Sequence, residues 1–240
     1  MFLLAALATV FAGVSKGGFG SGAAFASSAL LALVLPPATA LGLMLPLLML
    51  IDVTTLRPYW MRWSWPDARL LVLGGIPGAV LGAALFTVAN DDVLRLLIGG
   101  VALGFVMWRL VPGTGRIRVQ PGWSGGLAGV IAGFTSFVSH AGGPPVAVYL
   151  LSRGLEKTAY QATTVLVFWI INIAKAIPYG VLGVFTIETL KADLMLAPFA
   201  LFGAWLGVKA HHWVSERHFF GVTYAMLTVT GLKLIWDALT

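Results

Sequence analysis

The stretch "SFVSHAGGPP" (residues 136–145) places a histidine, two glycines and two prolines inside a long apolar run. It separates the apolar residues 122–138 from the apolar residues 144–152. Glycine and proline break helices, and unwound backbone at membrane depth is tolerated only where it is buried in protein or lines a water-filled cavity. The stretch therefore predicts a discontinuous membrane helix at a functional site.

The composition of the whole chain is that of a helical membrane protein. Of its 240 residues, 59% are hydrophobic and only 10% are charged, and the mean hydropathy is +0.92. Soluble domains carry about 25% charged residues. Several segments approach the ~20 apolar residues of a membrane-spanning helix, and they lack the alternation of barrel strands. We therefore predict an all-α, multi-pass integral membrane protein. The absence of cysteine excludes disulfides and thiol chemistry.

Ten apolar segments divide the chain into two similar halves. They are residues 2–14, 19–35, 38–56, 67–89 and 93–110, followed by 122–138, 144–152, 159–185, 192–210 and 218–236. Segments 2–14 and 144–152 are too short to span a bilayer alone. Each half is therefore predicted to be a broken, re-entrant helix pair followed by three transmembrane helices.

Three sequence matches at nearly constant spacing relate the two halves. They pair "SKGG" (15–18) with "SHAGG" (139–143), "ATA" (38–40) with "ATT" (162–164), and "PGAVLG" (77–82) with "FGAWLG" (202–207). Because each half has an odd number of crossings, the second half is predicted to be inverted. Inverted repeats with discontinuous helices are typical of secondary transporters. The predicted units are an N-terminal repeat (1–112), a linker (113–120) and an inverted C-terminal repeat (121–240).

The basic residues indicate which side of the membrane each loop occupies. Ten of the fifteen Lys and Arg residues lie in the loops 57–69, 109–120, 153–157 and 209–217, which this topology puts on one face, the basic face. Cytoplasmic loops collect Lys and Arg. We therefore predict an inner-membrane protein with a cytoplasmic basic face and linker and with both termini outside. These loops account for the net charge of +6 without a nucleic-acid-binding patch.

Four ionisable residues fall at membrane depth: Lys16 in the first break, Asp52, His140 in the second break, and Lys175. A charge at the bilayer centre costs roughly 2.5–3.5 kcal/mol on insertion scales, so such residues usually face a cavity or a partner. The neighbouring hydroxyl and amide groups belong to Ser15, Ser21, Thr135, Ser136, Ser139, Gln161, Thr163, Thr164 and Asn172. A helix restarting at "GGPP" would add free N–H groups and the positive end of its dipole. The excess of positive groups predicts an anion site.

Each of these four residues also has a structural alternative. Lys16 could reach a nearby interface, and Lys175 could pair with Asp52. His140 either contacts the substrate or holds the break together through backbone hydrogen bonds. Asp52 either relays protons or forms an ion pair, for example with Arg57 at the helix end.

The motif "GVSKGGFGSG" (13–22), paired with "FVSHAGGPPVAVYLL" (137–151), resembles the TauE/SafE sulfite exporter family, also called TSUP, over essentially the whole chain. The resemblance implies a transporter of small sulfur-containing anions: sulfite, thiosulfate, sulfoacetate or another organosulfonate. It also implies substrate-binding roles for Ser15, Lys16, Gly17, Gly18, Ser139, His140, Gly142, Gly143, Pro144 and Pro145. Lys175, Thr163 and Asn172 are added to this site because of their polarity at membrane depth.

Two other functions remain open from the sequence. One is a passive anion channel, although inverted repeats with broken helices favour alternating access. The other is an intramembrane hydrolase that pairs Ser21 with His140, although "FGSG" lacks the expected motif. We expect no enzyme activity, cofactor or metal, since the His211–His212 pair lacks carboxylate or cysteine partners. The expected partners are the small anion, the lipid bilayer and, as a candidate coupling ion, the proton.

Overall fold

The computed structural model describes residues 1–19, 23–110, 122–210 and 216–240, and all regular secondary structure in these ranges is helical. The helices are α1 (Phe2–Gly18), α2 (Phe25–Leu31), α3 (Pro37–Leu56), α4 (Trp65–Phe86), α5 (Asp91–Leu110), α6 (Trp123–Ser139), α7 (Gly143–Ser152), α8 (Lys157–Val181), α9 (Ile187–Ala210) and α10 (Glu216–Leu239). The predicted linker, Ser21 and the His211–His212 pair lie outside the described residues.

The predicted all-helical membrane class is confirmed. Among the described residues, five helices are long and apolar enough to cross a bilayer: α3, α4, α5, α8 and α9. Helix α10 has 24 residues, the same length as α9. The short helices α1, α2 and α7 occupy the positions predicted for the broken pairs. Each half therefore contains two shorter helices followed by three long ones, as the segment pattern predicts.

The first break lies later in the chain than predicted. Helix α1 continues through Ser15 and Lys16 and ends at Gly18, so Lys16 lies in its last turn rather than in unwound chain. Packing explains the difference, because Gly13, Gly17 and Gly18 face the backbone of α9 closely. This tertiary contact outweighs the low helix propensity of glycine.

The second break lies where the sequence predicts it. Helix α6 ends at Ser139, and His140 adopts the left-handed conformation with φ 57°. The N–H groups of His140 and Ala141 donate to the carbonyls of Ser136 (3.0 Å) and Thr135 (3.2 Å), which satisfies the end of the helix. Helix α7 then starts at Gly143 with proline in its first turn, where a missing N–H costs nothing.

Glycines bring two pairs of helices into close contact, α1 with α9 and α4 with α6. A Cβ atom on Gly13 would lie 2.6 Å from the backbone N of Ala204, and one on Gly133 would lie 2.9 Å from that of Ala79. Small residues allow membrane helices to approach in this way. Helix α1 of the first half corresponds to α6 of the second, and α4 corresponds to α9, so the two pairs are counterparts of each other. This pattern agrees with a duplication, and the inverted orientation of the halves stays a prediction.

Helices α3 and α8 are counterparts in the two halves and pack against each other. They are the two most buried of the five candidate spanning helices. In α3, 67% of the apolar stretch is buried inside the protein, and in α8 the share is 50%. Polar side chains on these two helices are therefore shielded from lipid. Asp52 lies on α3, and Asn172 and Lys175 lie on α8.

Candidate functional site

The buried charges meet between α1, α3 and α8. The Nζ atom of Lys16 lies 2.5 Å from Oδ1 of Asp52. Asn172 donates from Nδ2 to Oδ2 of Asp52 at 2.7 Å, and its Oδ1 accepts from Nζ of Lys175 at 3.3 Å. Together with Ser136 and His140 these residues form what we call the central polar cluster, in which no residue is more than 6% exposed.

Lys175 has only uncharged partners in the cluster. Its Nζ atom lies 3.0 Å from Oγ of Ser136, 2.8 Å from Nδ1 of His140 and 3.3 Å from Oδ1 of Asn172. An ammonium group has three donors, so these acceptors satisfy its hydrogen bonds without neutralising its charge. The cluster therefore holds two lysines and one carboxylate, an excess of one positive charge when all three are ionised.

Both ring nitrogens of His140 are engaged within the protein. Nε2 lies 3.1 Å from the carbonyl oxygen of Leu41 on α3. Because a carbonyl only accepts, Nε2 carries the proton, and Nδ1 is left to accept from Lys175. The imidazole is then neutral and connects the second break to both α3 and α8. This geometry favours the interpretation of His140 as a residue that holds the break together and positions Lys175.

The last carbonyls of α1 are satisfied by side chains from elsewhere. Gln161 on α8 donates from Nε2 to the carbonyl of Lys16 at 2.5 Å, and the Tyr59 hydroxyl donates to the carbonyl of Gly17 at 2.8 Å. Burial raises the pKa of Tyr59 to about 12, so this hydroxyl keeps its proton at neutral pH. These two contacts fix the end of α1 and with it the backbone of Lys16.

A small cavity lies within the cluster. Its lining residues are Lys16, Ala24, Leu48, Ser136, His140, Phe168 and Asn172. Its volume is about 10 Å³, roughly the space that one water molecule needs. A sulfur oxyanion is larger than water, so the cluster has to widen before it can hold one.

A larger cavity lies at the end of α1, and we call it the vestibule. Its volume is about 330 Å³. It is bounded by the end of α1 at Gly18, the start of α7 at Pro144 and the cationic residues Arg109 and Lys157. Gln161 also lines it and, as described above, holds the backbone of Lys16. The vestibule therefore reaches the helix end that carries Lys16.

Several residues predicted from the sequence lie outside the central polar cluster. Ser139 donates to the carbonyl of Thr135 at 2.8 Å. Thr163 donates to the carbonyl of Ala159 at 2.6 Å and accepts from the backbone N of Ser64 at 2.9 Å, so it holds the loop that precedes α4. Neither hydroxyl contacts Lys16 or Lys175 in this conformation.

The remaining predicted residues shape the backbone around the cluster. Gly17 and Gly18 pack against α9, and Ser15 is buried in the last turn of α1. A Cβ atom on Gly142 would lie 2.6 Å from the Phe168 ring and 2.9 Å from Cβ of Ser136, so glycine lets the second break approach the cluster. Gly143, Pro144 and Pro145 form the start of α7.

Asp52 and Lys16 have partners that the sequence did not indicate. Asp52 pairs with Lys16 rather than with Arg57 or Lys175, and Lys16, at 2% exposure, does not reach an interface. The sequence interpretation also left Tyr59 out of the site and named Ser136 only among the neighbouring hydroxyl groups. Ser136 precedes His140 by one helical turn, a spacing that places two side chains on the same face of a helix.

No group of residues suited to hold a metal ion occurs among the described residues. The amino-acid sequence matches the family model described as "Sulfite exporter TauE/SafE" over residues 5–234. No curated protein and no solved structure matches it.

Proposed function

Because this chain belongs to the TauE/SafE sulfite exporter family, we propose that it is a secondary transporter whose central polar cluster binds a small sulfur-containing anion. The candidate substrates are sulfite, thiosulfate, sulfoacetate and other organosulfonates. Family membership supports the transport of sulfite-like anions across a membrane, and the apolar helices support a multi-pass membrane protein. The location of the binding site and the mode of transport are inferred from the geometry.

The observation that carries this proposal is that Lys175 is buried with three uncharged acceptors and has no carboxylate partner among the described residues. A buried ammonium group without a carboxylate partner is unfavourable, and intramembrane charges usually mark a substrate or ion pathway. Lys175 contacts Ser136, His140 and Asn172, three of the residues that line the small cavity. An anion bound in a widened cavity would neutralise this charge and accept hydrogen bonds from the surrounding donors.

The closed cluster supports alternating access over a passive channel. The central cavity holds no more than about one water molecule, and the ion pair of Lys16 and Asp52 connects α1 and α3 beside it. Transport then requires the helices around the cluster to separate. We infer that the vestibule leads to the cluster from one side and that the two repeats move relative to each other, as in other transporters built from inverted repeats.

The contacts of His140 disfavour a hydrolase. A general base needs a ring nitrogen within hydrogen-bond reach of the nucleophile. Nε2 of His140 is held by the carbonyl of Leu41 and Nδ1 by Lys175. His140 therefore has no nitrogen available for a serine in this conformation.

The predicted topology indicates which side of the membrane the vestibule faces. Arg109, in the last turn of α5, and Lys157, the first residue of α8, line the vestibule and lie at the helix ends that the predicted topology puts on the basic face. If that face is cytoplasmic, as the excess of Lys and Arg predicts, the vestibule receives anions from the cytoplasm. Its positive charge would raise the local concentration of anions. This arrangement favours export of the anion from the cytoplasm across the inner membrane.

Flux measurements in liposomes test the proposed function. Purified protein is reconstituted, and uptake of ³⁵S-labelled sulfite and thiosulfate is followed for the wild type, Lys175→Met and Lys209→Met. Lys209 lies at the exposed end of α9, with Nζ 4.1 Å from the Trp205 ring centroid, and serves as the matched lysine control. We expect flux in the wild type and in Lys209→Met, and loss of flux in Lys175→Met. Equal flux in all three proteins would exclude the central polar cluster as the site.

A further inference from the structure

The carboxylate of Asp52 occupies the place that an anionic substrate would take at Lys16. It is the charged partner of Lys16, at 2.5 Å, and both side chains are almost fully buried. A carboxylate and a sulfonate offer a lysine the same chemistry, a negative charge shared by oxygen acceptors. Asp52 and a substrate anion would therefore compete for Lys16.

We propose that the substrate anion displaces Asp52 from Lys16 and that Asp52 then binds one proton, which crosses the membrane together with the anion. This inference rests on the proposed function and names its coupling ion. An O–H bond forms on a carboxylate oxygen of Asp52 as the anion enters, with the proton supplied by water on the side of entry. When the anion leaves on the other side, Asp52 releases the proton there and returns to Lys16.

Burial explains why protonation accompanies binding. Asp52 is 0% exposed, so a carboxylate displaced from Lys16 would be a buried charge without its cationic partner. Removing one partner from a buried ion pair is strongly unfavourable because the other charge is left uncompensated. The entering anion would also repel an ionised Asp52 at close range. Taking up a proton removes both penalties.

The groups around Asp52 favour a proton over a metal cation. Among the described residues, Lys16 from α1 contacts Asp52 directly. Lys175 from α8 contacts Asn172, the other partner of Asp52, and His140 at the end of α6 contacts Lys175. The closest polar group on α8 is Asn172, which presents its NH₂ group and not its oxygen to Asp52. Sodium and calcium require several oxygen ligands, and two neighbouring ammonium groups would repel them. A proton requires only the carboxylate.

The net charge moved in each cycle depends on the substrate. A dianion such as thiosulfate that travels with one proton carries one net negative charge, so an inside-negative membrane potential drives it outward. A monoanion such as isethionate travelling with one proton moves no net charge. An imposed membrane potential should therefore change thiosulfate flux and leave isethionate flux unchanged.

Linkage gives the expected pH dependence of binding. If one proton binds with each anion, the affinity of the wild type for the anion falls about tenfold for each unit by which the pH rises. This dependence holds over the pH range in which Asp52 is ionised in the empty protein and protonated in the loaded protein. Asp52→Asn cannot bind this proton and leaves Lys16 free. Its affinity should be independent of pH and close to the low-pH value of the wild type.

The test uses thiosulfate and isethionate, because both stay fully ionised near neutral pH and bring no proton of their own. Proteoliposomes contain a trapped pH indicator, and ³⁵S-thiosulfate uptake and internal pH are recorded together. We expect the interior of wild-type liposomes to acidify during uptake. Asp52→Asn should still exchange labelled for unlabelled thiosulfate but should no longer acidify the interior.

Asp193→Asn is the matched control. Asp193 lies on α9, is 7% exposed, and neither of its carboxylate oxygens has a hydrogen-bond partner among the described residues. This variant should retain both uptake and acidification. If Asp193→Asn loses acidification while uptake continues, Asp193 and not Asp52 carries the proton, and the proposal is overturned.

The remaining outcomes separate the two proposals. Wild-type uptake without acidification overturns proton coupling and leaves the transporter intact. Absence of uptake of sulfite, thiosulfate and isethionate by the wild type overturns the proposed function itself. If Asp52→Asn fails to fold, the wild-type measurements of acidification and of affinity against pH decide the question without it.

Discussion

The Nζ atom of Lys175 lies 2.8 Å from Nδ1 of His140, and this contact connects α8 to the second helix break. The other ring nitrogen of His140, Nε2, donates to the carbonyl of Leu41 on α3 at 3.1 Å. A single neutral imidazole thus positions a lysine that has no carboxylate partner among the described residues.

His140→Leu should lower both thermal stability and transport. The substitution leaves the Leu41 carbonyl without its donor and Lys175 without one of its acceptors. Each unsatisfied buried group lowers the free energy of unfolding by about 1–3 kcal/mol. The substitution also places a bulky residue at φ 57°, a left-handed conformation that Leu adopts poorly. The measurement is the unfolding temperature in detergent together with ³⁵S-thiosulfate uptake.

His140→Asn is the comparison for this variant. Asparagine tolerates the left-handed conformation and retains a polar amide, so it should be more stable than His140→Leu. Equal stability of the wild type and His140→Leu would show that these contacts do not hold the break together.

Asn172→Asp should weaken anion binding, because it places a second carboxylate beside Lys175. Asn172 Oδ1 lies 3.3 Å from Nζ of Lys175, and a unit charge about 4 Å away contributes about 4 kcal/mol at an effective dielectric constant of 20. We therefore expect affinity for thiosulfate to fall at least 100-fold, about 2.7 kcal/mol, measured by titration calorimetry.

Asn90→Asp is the matched control for that charge change. Asn90 is exposed, and its side chain accepts a hydrogen bond from the backbone N of Val93 at the start of α5, a role that Asp also fills. Its affinity for thiosulfate should equal that of the wild type. Unchanged affinity in Asn172→Asp would contradict an anion site at Lys175.

Gly133→Ala should destabilise the protein, whereas Gly126→Ala on the same helix should not. A Cβ atom on Gly133 would lie 2.9 Å from the backbone N of Ala79, while one on Gly126 would have no neighbour within 4 Å. Overpacking of this kind costs about 1–3 kcal/mol. Thermal unfolding in detergent compares the two variants, and equal unfolding temperatures would contradict the close contact of α4 with α6.

Tyr149→Phe should destabilise the protein more than Tyr224→Phe. The Tyr149 hydroxyl is buried on α7 and donates to Oδ1 of Asp67 on α4 at 2.8 Å. Loss of a donor to a buried carboxylate costs about 1–3 kcal/mol. Tyr224 accepts from Nε of Arg109 in an exposed contact, which is worth less. Unfolding in increasing denaturant measures the difference, and a larger loss in Tyr224→Phe would contradict this ranking.

Single cysteines can establish the topology without background labelling, because the chain has no cysteine of its own. Glu156→Cys on the basic face should react with a membrane-impermeant thiol reagent only after cells are permeabilised. Thr240→Cys at the C-terminus should react in intact cells. Both residues are exposed, and neither change removes a Lys or Arg. Labelling in the opposite order would reverse the predicted orientation and the direction of the vestibule.

Much of the fold follows from local sequence features. The composition and the length of the apolar segments predict membrane helices because a bilayer tolerates only backbone with satisfied hydrogen bonds. The residues "SHAGGPP" (139–145) predict the second break because glycine and proline interrupt helical hydrogen bonding. Lys16, Asp52, His140 and Lys175 stand out because charge is costly in an apolar segment.

The tertiary structure alone decides which of these residues meet. Spacing along the chain cannot show that Asp52 pairs with Lys16 rather than with Lys175, because that depends on how α1 packs beside α3. The same holds for Thr163, which the packing directs to the backbone of Ser64 and away from the cluster. Helix α1 continues through Gly17 because α9 packs against it, which local propensity does not reveal. The sequence by itself thus determined a broken-helix membrane protein with buried charges, whereas three-dimensional packing decided their partners, since partners are set by contacts between distant segments.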